Sequence, residues 1–193
     1  MKPLAFTWPY AVPFWAIYVW AFWPEFAIVR RAGKERTATD AKSLQVILAG
    51  INVAYLLAFP IAWIRALQFP SHRVLWFWTG LAVLLGGSLL RRHCFRVLGE
   101  SFTGDVRARA DQVIVTRGAY AFVRHPAYTG GILMNTGIGI ALGSWGAALL
   151  LAVVSIAVYI YRMNVEERAL LAAIGEPYRE FMRTRKRVFP FVY

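Results

Sequence analysis

Residues 117–162 decide the fold, and they read RGAYAFVRHPAYTGGILMNTGIGIALGSWGAALLLAVVSIAVYIYR. A polar, charged turn leads into two apolar runs, 128–142 and 147–162, which are separated by the turn at 143–146. Each run has about 15 residues, which span about 23 Å as a helix at 1.5 Å per residue. The glycines of the turn favour a sharp reversal, so the stretch predicts a tight helical hairpin.

The composition of the whole chain predicts an integral membrane protein. Its 193 residues are 59% hydrophobic and 16% aromatic, which is more apolar surface than a soluble domain of this size can bury. Three further apolar runs, at 10–29, 44–66 and 74–90, approach or exceed the ~20 residues needed to cross a ~30 Å hydrocarbon core as a helix. The chain is therefore expected to be all-α, with about five transmembrane helices and a C-terminal helical hairpin.

The first apolar run carries features that distinguish it from the others. Pro13, Pro24 and Glu25 interrupt it and predict a kink in its interior. It lacks the short apolar core and small-residue cleavage site of a signal peptide, so it is expected to remain in the mature protein.

The distribution of basic residues predicts the orientation in the membrane. Of the 22 lysines and arginines, most lie in three segments, 30–42, 91–124 and 162–187. Basic loops remain cytoplasmic, and five spans place all three segments on one side, so the N-terminus is expected outside and the three basic segments in the cytoplasm. The small size favours a prokaryotic inner membrane.

The net charge of +12 does not require nucleic acid as a partner. The basic residues lie at membrane borders, where they contact anionic lipid head groups, and the basic tail at 183–187 is interpreted in the same way. Cys94 is the only cysteine, and the three histidines show no close spacing. The sequence therefore predicts neither a disulfide nor a metal site.

The pair His125-Pro126 predicts the start of a helix. Proline restricts the preceding residue to extended geometry and is favoured in the first helical turn, so His125 should lie just outside a helix that begins near Pro126. Unpaired backbone N–H groups of residues 127–129 and the positive end of the helix dipole would then lie beside Arg124 and favour an anion such as a carboxylate. The alternative is a membrane-border loop whose arginine meets lipid phosphate.

A second polar cluster lies at the other end of the hairpin. Arg162 and Glu166 are four residues apart on one helix face, and Glu167 follows directly. An ordinary ion pair at the water boundary would explain them, but ionisable residues at the end of a membrane helix often face a protein interior. A short hairpin brings 124–128 and 162–167 to the same membrane level, which predicts that the two clusters converge.

The sequence also resembles a known family. RGAYAFVRHPAYTG, the apolar hairpin and YRMNVEERALLAAIGEPYREF at 161–181 are together similar to the isoprenylcysteine carboxyl methyltransferases and their relatives among the phospholipid methyltransferases. The resemblance covers about residues 90–190. It implies a bundle of membrane helices with a cytoplasmic pocket for S-adenosylmethionine, and it divides the chain into N-terminal helices at 1–90, with about three spans, and a catalytic region at 91–193.

The resemblance also implies the residues of the site. Arg162 would face the substrate, and Glu167 would orient Glu166 or Arg162, or act as a base if the acceptor were an amine or thiol. Glu166 suits the cofactor ammonium, and Arg124 joins the site through its place beside His125. The expected cofactor contacts are Gln112, Val113, Ile114, Val115, Tyr120, Arg124, His125, Pro126, Ala127, Tyr128 and Glu166. The run 112–115 is expected to be extended, with simple packing as the alternative explanation.

The expected function is methyl transfer from S-adenosylmethionine to the carboxylate of a prenylated cysteine or a similar lipophilic acceptor. The alternatives are an NADPH-dependent membrane reductase of the sterol-reductase type, a phospholipid N-methyltransferase, and a non-enzymatic transporter or assembly factor. The sequence leaves the oligomeric state open, and two departures from the eukaryotic pattern leave the acceptor open. The chain has fewer N-terminal helices, and Asp105 stands where that pattern has a glutamine.

Overall fold

The fold was analysed in a computed structural model that describes residues 1–32, 42–99 and 113–188, with the side chains of 27–32 excepted. Within these ranges there is no strand, only two isolated β-bridges, so the all-α prediction is confirmed. The helices are α1 (Ala11–Ala32), α2 (Ser43–Ile61), α3 (Arg73–Leu98), α4 (Pro126–Ala141), α5 (Trp145–Ile174) and the short α6 (Glu176–Thr184).

Helices α2, α3 and α5 are long and apolar enough to cross a membrane. Large apolar side chains on the helix surfaces face outward, among them Trp23, Leu56 and Leu149. Such exposure is unfavourable in water and favourable against lipid tails. The structure therefore agrees with an integral membrane protein. Helix α4 has 16 residues, or about 24 Å, and is short for a ~30 Å core, as expected for the hairpin.

Three helices differ in length from the apolar runs that predicted them. The second ends at Ile61 rather than at 66, the third continues to Leu98 rather than 90, and the fifth continues to Ile174 rather than 162. The hydropathy of α3 and α5 falls where charged residues begin, but the helical hydrogen bonds of the backbone continue until a residue adopts a non-helical conformation. Gly99 and Gly175, at φ of 53° and 75°, end α3 and α5. Both helices therefore carry polar turns beyond their apolar part.

The turn between α4 and α5 is shorter than the predicted 143–146. Gly143 has a φ of 76°, and the next residue, Ser144, already caps α5. The Ser144 hydroxyl accepts from the N–H of Ala147 at 3.1 Å and donates to the carbonyl of Leu67 at 2.7 Å. One serine thus satisfies a free helix N–H and ties the hairpin to the chain that follows α2.

Helices α3 and α4 pack most extensively, and glycines allow them to approach. A Cβ added at Gly80 would lie 2.1 Å from the backbone nitrogen of Ala141, and one at Gly137 would lie 2.6 Å from that of Leu84. Small residues let membrane helices touch backbone to backbone, where dispersion contacts replace a hydrophobic driving force. This contact holds the end of α4 against the first half of α3. A Cβ added at Gly87 would lie 2.6 Å from the Gly130 carbonyl oxygen, so the close packing continues towards the start of α4.

A buried polar network ties α2 to the hairpin. Tyr55 donates to the side-chain oxygen of Asn135 at 2.5 Å, and the Asn135 amide donates to the Ser155 hydroxyl at 2.9 Å. Polar groups inside a membrane protein require partners of this kind. The network joins α2, α4 and α5 and so positions α2 beside the site.

The glycine contact predicts a specific loss of stability. Gly80→Ala places a methyl group inside the van der Waals distance of α4 backbone, so we expect the free energy of unfolding to fall by about 2 kcal/mol. The measurement is denaturant unfolding in detergent micelles, followed by circular dichroism. Gly86→Ala on the same helix is the control, because nothing lies within 4 Å of its added Cβ. An equal change in both variants would contradict the packing role of Gly80.

Candidate active site

Helix α4 begins at Pro126 with His125 as its N-cap, as the sequence predicts. The prediction that the N–H groups of residues 127–129 are unpaired is wrong for two of these three residues. The N–H groups of Tyr128 and Thr129 both donate to the His125 carbonyl, at 3.0 and 3.4 Å. His125 is also less extended than predicted, with φ −127° and ψ 54°, because its carbonyl turns in to cap the helix. An anion at this site therefore depends mainly on side chains.

Glu167 is the centre of a buried charge cluster. Its side chain is 3% exposed, and its Oε1 lies 3.0 Å from His125 Nε2 and 3.1 Å from Arg124 Nη1. Its Oε2 accepts from Arg187, at 2.6 Å from Nη2 and 3.1 Å from Nε. A carboxylate only accepts, so His125 carries a proton on Nε2. Glu167 thus pairs with these three side chains, and its orienting of Glu166 or Arg162 stays a prediction.

Tyr128 links the second cluster to the start of α4. Its hydroxyl donates to Glu166 Oε2 at 2.8 Å and also lies against the guanidinium of Arg162. Arg162 is buried and donates to the hydroxyl of Ser43 on α2. The structure thus brings the two polar clusters of the hairpin together, as predicted, and adds α2 to the site.

The chain at 185–188 forms a further wall that the sequence analysis missed. The N–H groups of residues 124 and 125 donate to the carbonyls of Lys186 and Arg187, at 2.8 and 2.9 Å, and Val188 is buried. The interpretation of 183–187 as a lipid-contacting tail is wrong for Arg187, because its guanidinium lies on Glu167. In the sequence, the apolar Val188 directly after the basic run could have indicated that this segment packs against the helices.

Arg124 is a buried cation whose hydrogen bonds are incomplete. Its side chain is 9% exposed, and its Nη1 lies within ion-pair distance of Glu167. Nonetheless Nε and Nη1 have no hydrogen bond to any described part of the chain, because the alignment with the carboxylate is poor. A buried N–H without a partner costs about 1–3 kcal/mol. Arg124 is therefore suited to receive an anionic ligand group.

Two buried tyrosines flank the cluster outside the apolar parts of the helices. Burial raises the pKa of Tyr178, and the nearby carboxylates of Glu166 and Glu167 raise it further. Burial also raises the pKa of Tyr120, and the neighbouring Cys94 thiol and the Glu166 carboxylate raise it further. Both phenols consequently remain protonated donors at neutral pH. The contact of Tyr120 with the cofactor stays a prediction.

The remaining predicted contacts are less defined. Residues 113–116 have no regular secondary structure, with Val113 exposed and Ile114 and Val115 half-buried, so their cofactor role stays a prediction. Gln112 and Asp105 lie outside the described residues. Pro126 is fully buried, and the Ala127 carbonyl accepts from Arg91.

The sequence pattern of a known family covers the structural units that build this site. The pattern that defines phospholipid methyltransferases matches residues 75–176, which run from the start of α3 to the end of α5. The chain belongs to the phospholipid methyltransferase family.

Individual members of the family are also similar. The chain is 31% identical over 132 residues to protein-S-isoprenylcysteine O-methyltransferase of Schizosaccharomyces pombe, which covers 65% of this chain and 55% of the relative. It is 30% identical over 128 residues to protein-S-isoprenylcysteine O-methyltransferase B of Arabidopsis thaliana, covering 64% and 65%. These names confirm the resemblance to the isoprenylcysteine carboxyl methyltransferases. The chain spans between about half and two thirds of the length of these relatives.

The fold of this member of the phospholipid methyltransferase family is similar to that of a solved structure. The eukaryotic intramembrane Ras methyltransferase, isoprenylcysteine carboxyl methyltransferase, superposes with a TM-score of 0.63 at 27% sequence identity. The match covers 73% of this chain and 52% of that protein. The membrane-helix architecture that the resemblance implied is therefore confirmed.

The charge cluster predicts that the two adjacent glutamates differ in their contribution to stability. Glu167→Ala leaves Arg124 and Arg187 buried together without a carboxylate, so we expect the free energy of unfolding to fall by about 3 kcal/mol. Glu166→Ala is the matched control, because Glu166 is 32% exposed and its loss should cost about 1 kcal/mol or less. Denaturant unfolding in micelles measures both. A similar loss in the two variants would refute the central place of Glu167.

Proposed function

We propose that the protein is a membrane-embedded S-adenosylmethionine-dependent methyltransferase that methylates the carboxylate of a prenylated cysteine or a similar lipophilic acceptor. The buried, incompletely bonded guanidinium of Arg124 is the observation that carries the proposal, and the next residue, His125, lies 3.9 Å from Glu166. The named relatives, which are protein-S-isoprenylcysteine O-methyltransferases, support the reaction type.

The residues present fit the amino-acid end of this cofactor. The free N–H groups of Arg124 suit its carboxylate, because charge-assisted hydrogen bonds would satisfy both. The ammonium suits Glu166, whose Oε2 lies 3.9 Å from His125 Nδ1. When the ring is neutral, Nδ1 has a lone pair, since the proton is on Nε2. His125 Nδ1 and Glu166 Oε2 are then two acceptors that face each other. An ammonium group has three N–H donors and can satisfy both.

When bound, S-adenosylmethionine supplies an electrophilic methyl group. The task of the chain is then to orient the acceptor and to exclude water, since the displacement needs the reacting atoms in line at about 3–3.5 Å. Arg162 is buried, remains charged at every relevant pH and can hold a carboxylate with two parallel hydrogen bonds. Ser43 and Tyr128 fix its direction by their contacts with the guanidinium.

The engagement of Glu167 favours a carboxylate as the acceptor. An amine or thiol acceptor requires a base to remove a proton, and Glu167 was the sequence-based candidate. Both of its oxygens are held by Arg187, His125 and Arg124. A carboxylate is already ionised at neutral pH and needs no base. We therefore place prenylcysteine-type acceptors ahead of the phospholipid amines.

We also propose that five helices cross the membrane, with the N-terminus outside and the site in the cytoplasm. Five successive spans, α1 to α5, would place the basic ends of α3 and α5 on the same side of the membrane as the start of α4. The candidate site is built from the start of α4 and the polar part of α5, and basic residues favour the cytoplasmic side.

Binding and turnover of the purified protein test the function. We expect S-adenosylmethionine and its demethylated product to give binding heats in calorimetry, and NADPH to give none. A labelled methyl group should pass to a prenylcysteine acceptor and not to a phospholipid amine or a small thiol. Binding of NADPH alone would overturn the proposal in favour of a reductase. Transfer to the amine alone would retain the methyltransferase and overturn the acceptor.

Two substitutions test the division of roles within the site. Glu166→Ala should abolish cofactor binding because it removes the acceptor for the ammonium. Arg162→Ala should preserve cofactor affinity and lower turnover at least 100-fold, since the acceptor loses its orientation. Arg168→Ala is the control on the same helix, because Arg168 is exposed and bonds only to its own helix among the contacts described. Equal loss of cofactor affinity in the first two variants would contradict the assignment.

A further inference from the structure

Arg91, near the end of α3, connects α1 to the candidate site. Its Nε and Nη2 each donate to one oxygen of Glu25 on α1, both at 2.6 Å, and its Nη1 donates to the Ala127 carbonyl at 2.8 Å. Side-chain exposure is 11% for Arg91 and 24% for Glu25. The guanidinium therefore holds a two-bond ion pair and a main-chain contact in the first turn of α4 at the same time.

The position of Glu25 is fixed by a break in the helix that carries it. Pro24 has no N–H, so the carbonyl of Trp20 loses its helical partner. Arg92 donates to this carbonyl at 2.6 Å, and its guanidinium lies 4.0 Å from the Trp20 ring centre. Ser88 donates to the next carbonyl, that of Ala21, at 3.2 Å. Helix α3 thus supports the weak point of α1 and holds Glu25 against Arg91.

A glycine makes room for this connection. A Cβ added at Gly130 would lie 2.6 Å from Arg91 Cγ and 2.8 Å from the carbonyl oxygen of Gly87. The stem of Arg91 therefore lies directly on the backbone of α4. The guanidinium reaches the Ala127 carbonyl, two residues after His125 and one before Tyr128, only because no side chain intervenes.

We propose that Glu25 and Arg91 are positioning residues of the site, which hold the main chain of residues 126–128 in register with Glu166. The consequence for the cofactor rests on the proposed function, because that segment is expected to contact S-adenosylmethionine. The pair acts through the backbone of α4, whereas Glu166 and Glu167 hold the same turn through the side chains of Tyr128 and His125.

Adjacent arginines provide a matched test. Arg91→Gln and Arg92→Gln both remove a contact between α3 and α1, but only Arg91 reaches the start of α4. Hydrogen–deuterium exchange of the full-length protein in micelles should show faster exchange, by about tenfold, in the peptide at 126–131 of Arg91→Gln. The same peptide in Arg92→Gln should remain within twofold of the wild type. Equal exchange in both variants, or no change in Arg91→Gln, would overturn the proposal.

The dissociation constant for S-adenosylmethionine gives the functional readout. We expect it to rise about tenfold in Arg91→Gln while KM for the acceptor stays unchanged, because the acceptor is held by Arg162. The measurement is made well below the melting temperature of each variant, where the unfolded fraction is too small to change the apparent dissociation constant. If the wild type fails to bind this cofactor, the proposed function falls, and the exchange comparison still decides the role of Arg91.

A double variant separates positioning from folding. Glu25→Leu combined with Arg91→Met replaces the ion pair with apolar side chains of similar volume, a change that buried pairs often tolerate. We expect a melting temperature near that of the wild type, together with the same faster exchange at 126–131 as in Arg91→Gln. Wild-type exchange in a stable double variant would show that the pair serves folding alone and would overturn the proposal.

Discussion

A buried carboxylate must be matched by cations, and the carboxylate of Glu167 imposes this requirement on the site. Arg124, His125 and Arg187 surround it, and they come from two different parts of the chain. Removing an ion from water costs several kcal/mol, which is recovered only when the partners hold a definite geometry. The start of α4, the polar part of α5 and the chain at 185–188 are thereby locked to one another.

The apolar part of the protein serves this arrangement by bringing helices unusually close. Backbone meets backbone between α3 and α4 at Gly80 and Gly137. It does so again between Gly87 and Gly130, nearer the polar end of α3, so that end has little freedom to separate from the start of α4. Arg91 then lies against α4 at Gly130, where any side chain would exclude it. Tight packing in the lipid-embedded region and the order of the polar site have the same structural origin.

Hydropathy and the pair His125-Pro126 were sufficient to predict α1 to α5 and the start of α4, but not the short polar α6. They could not locate the ends of α3 and α5, because backbone hydrogen bonds continue through charged residues until Gly99 and Gly175. The convergence of the two clusters also followed from the short hairpin. The contact of Arg162 with α2 did not, because Ser43 lies 119 residues away in sequence and no helical spacing relates the two residues.

Thr129 donates to the carbonyl of Val188, which lies 59 residues further along the chain. This bond and the neighbouring main-chain pairing at 124–125 close a loop that contains the whole hairpin and α6. Loop closure of this length costs conformational entropy, and contacts repay that cost only after α4 and α5 stand side by side. The contacts that close the site therefore add stability only to a hairpin that is already packed, so the order of the site depends on the order of the membrane helices.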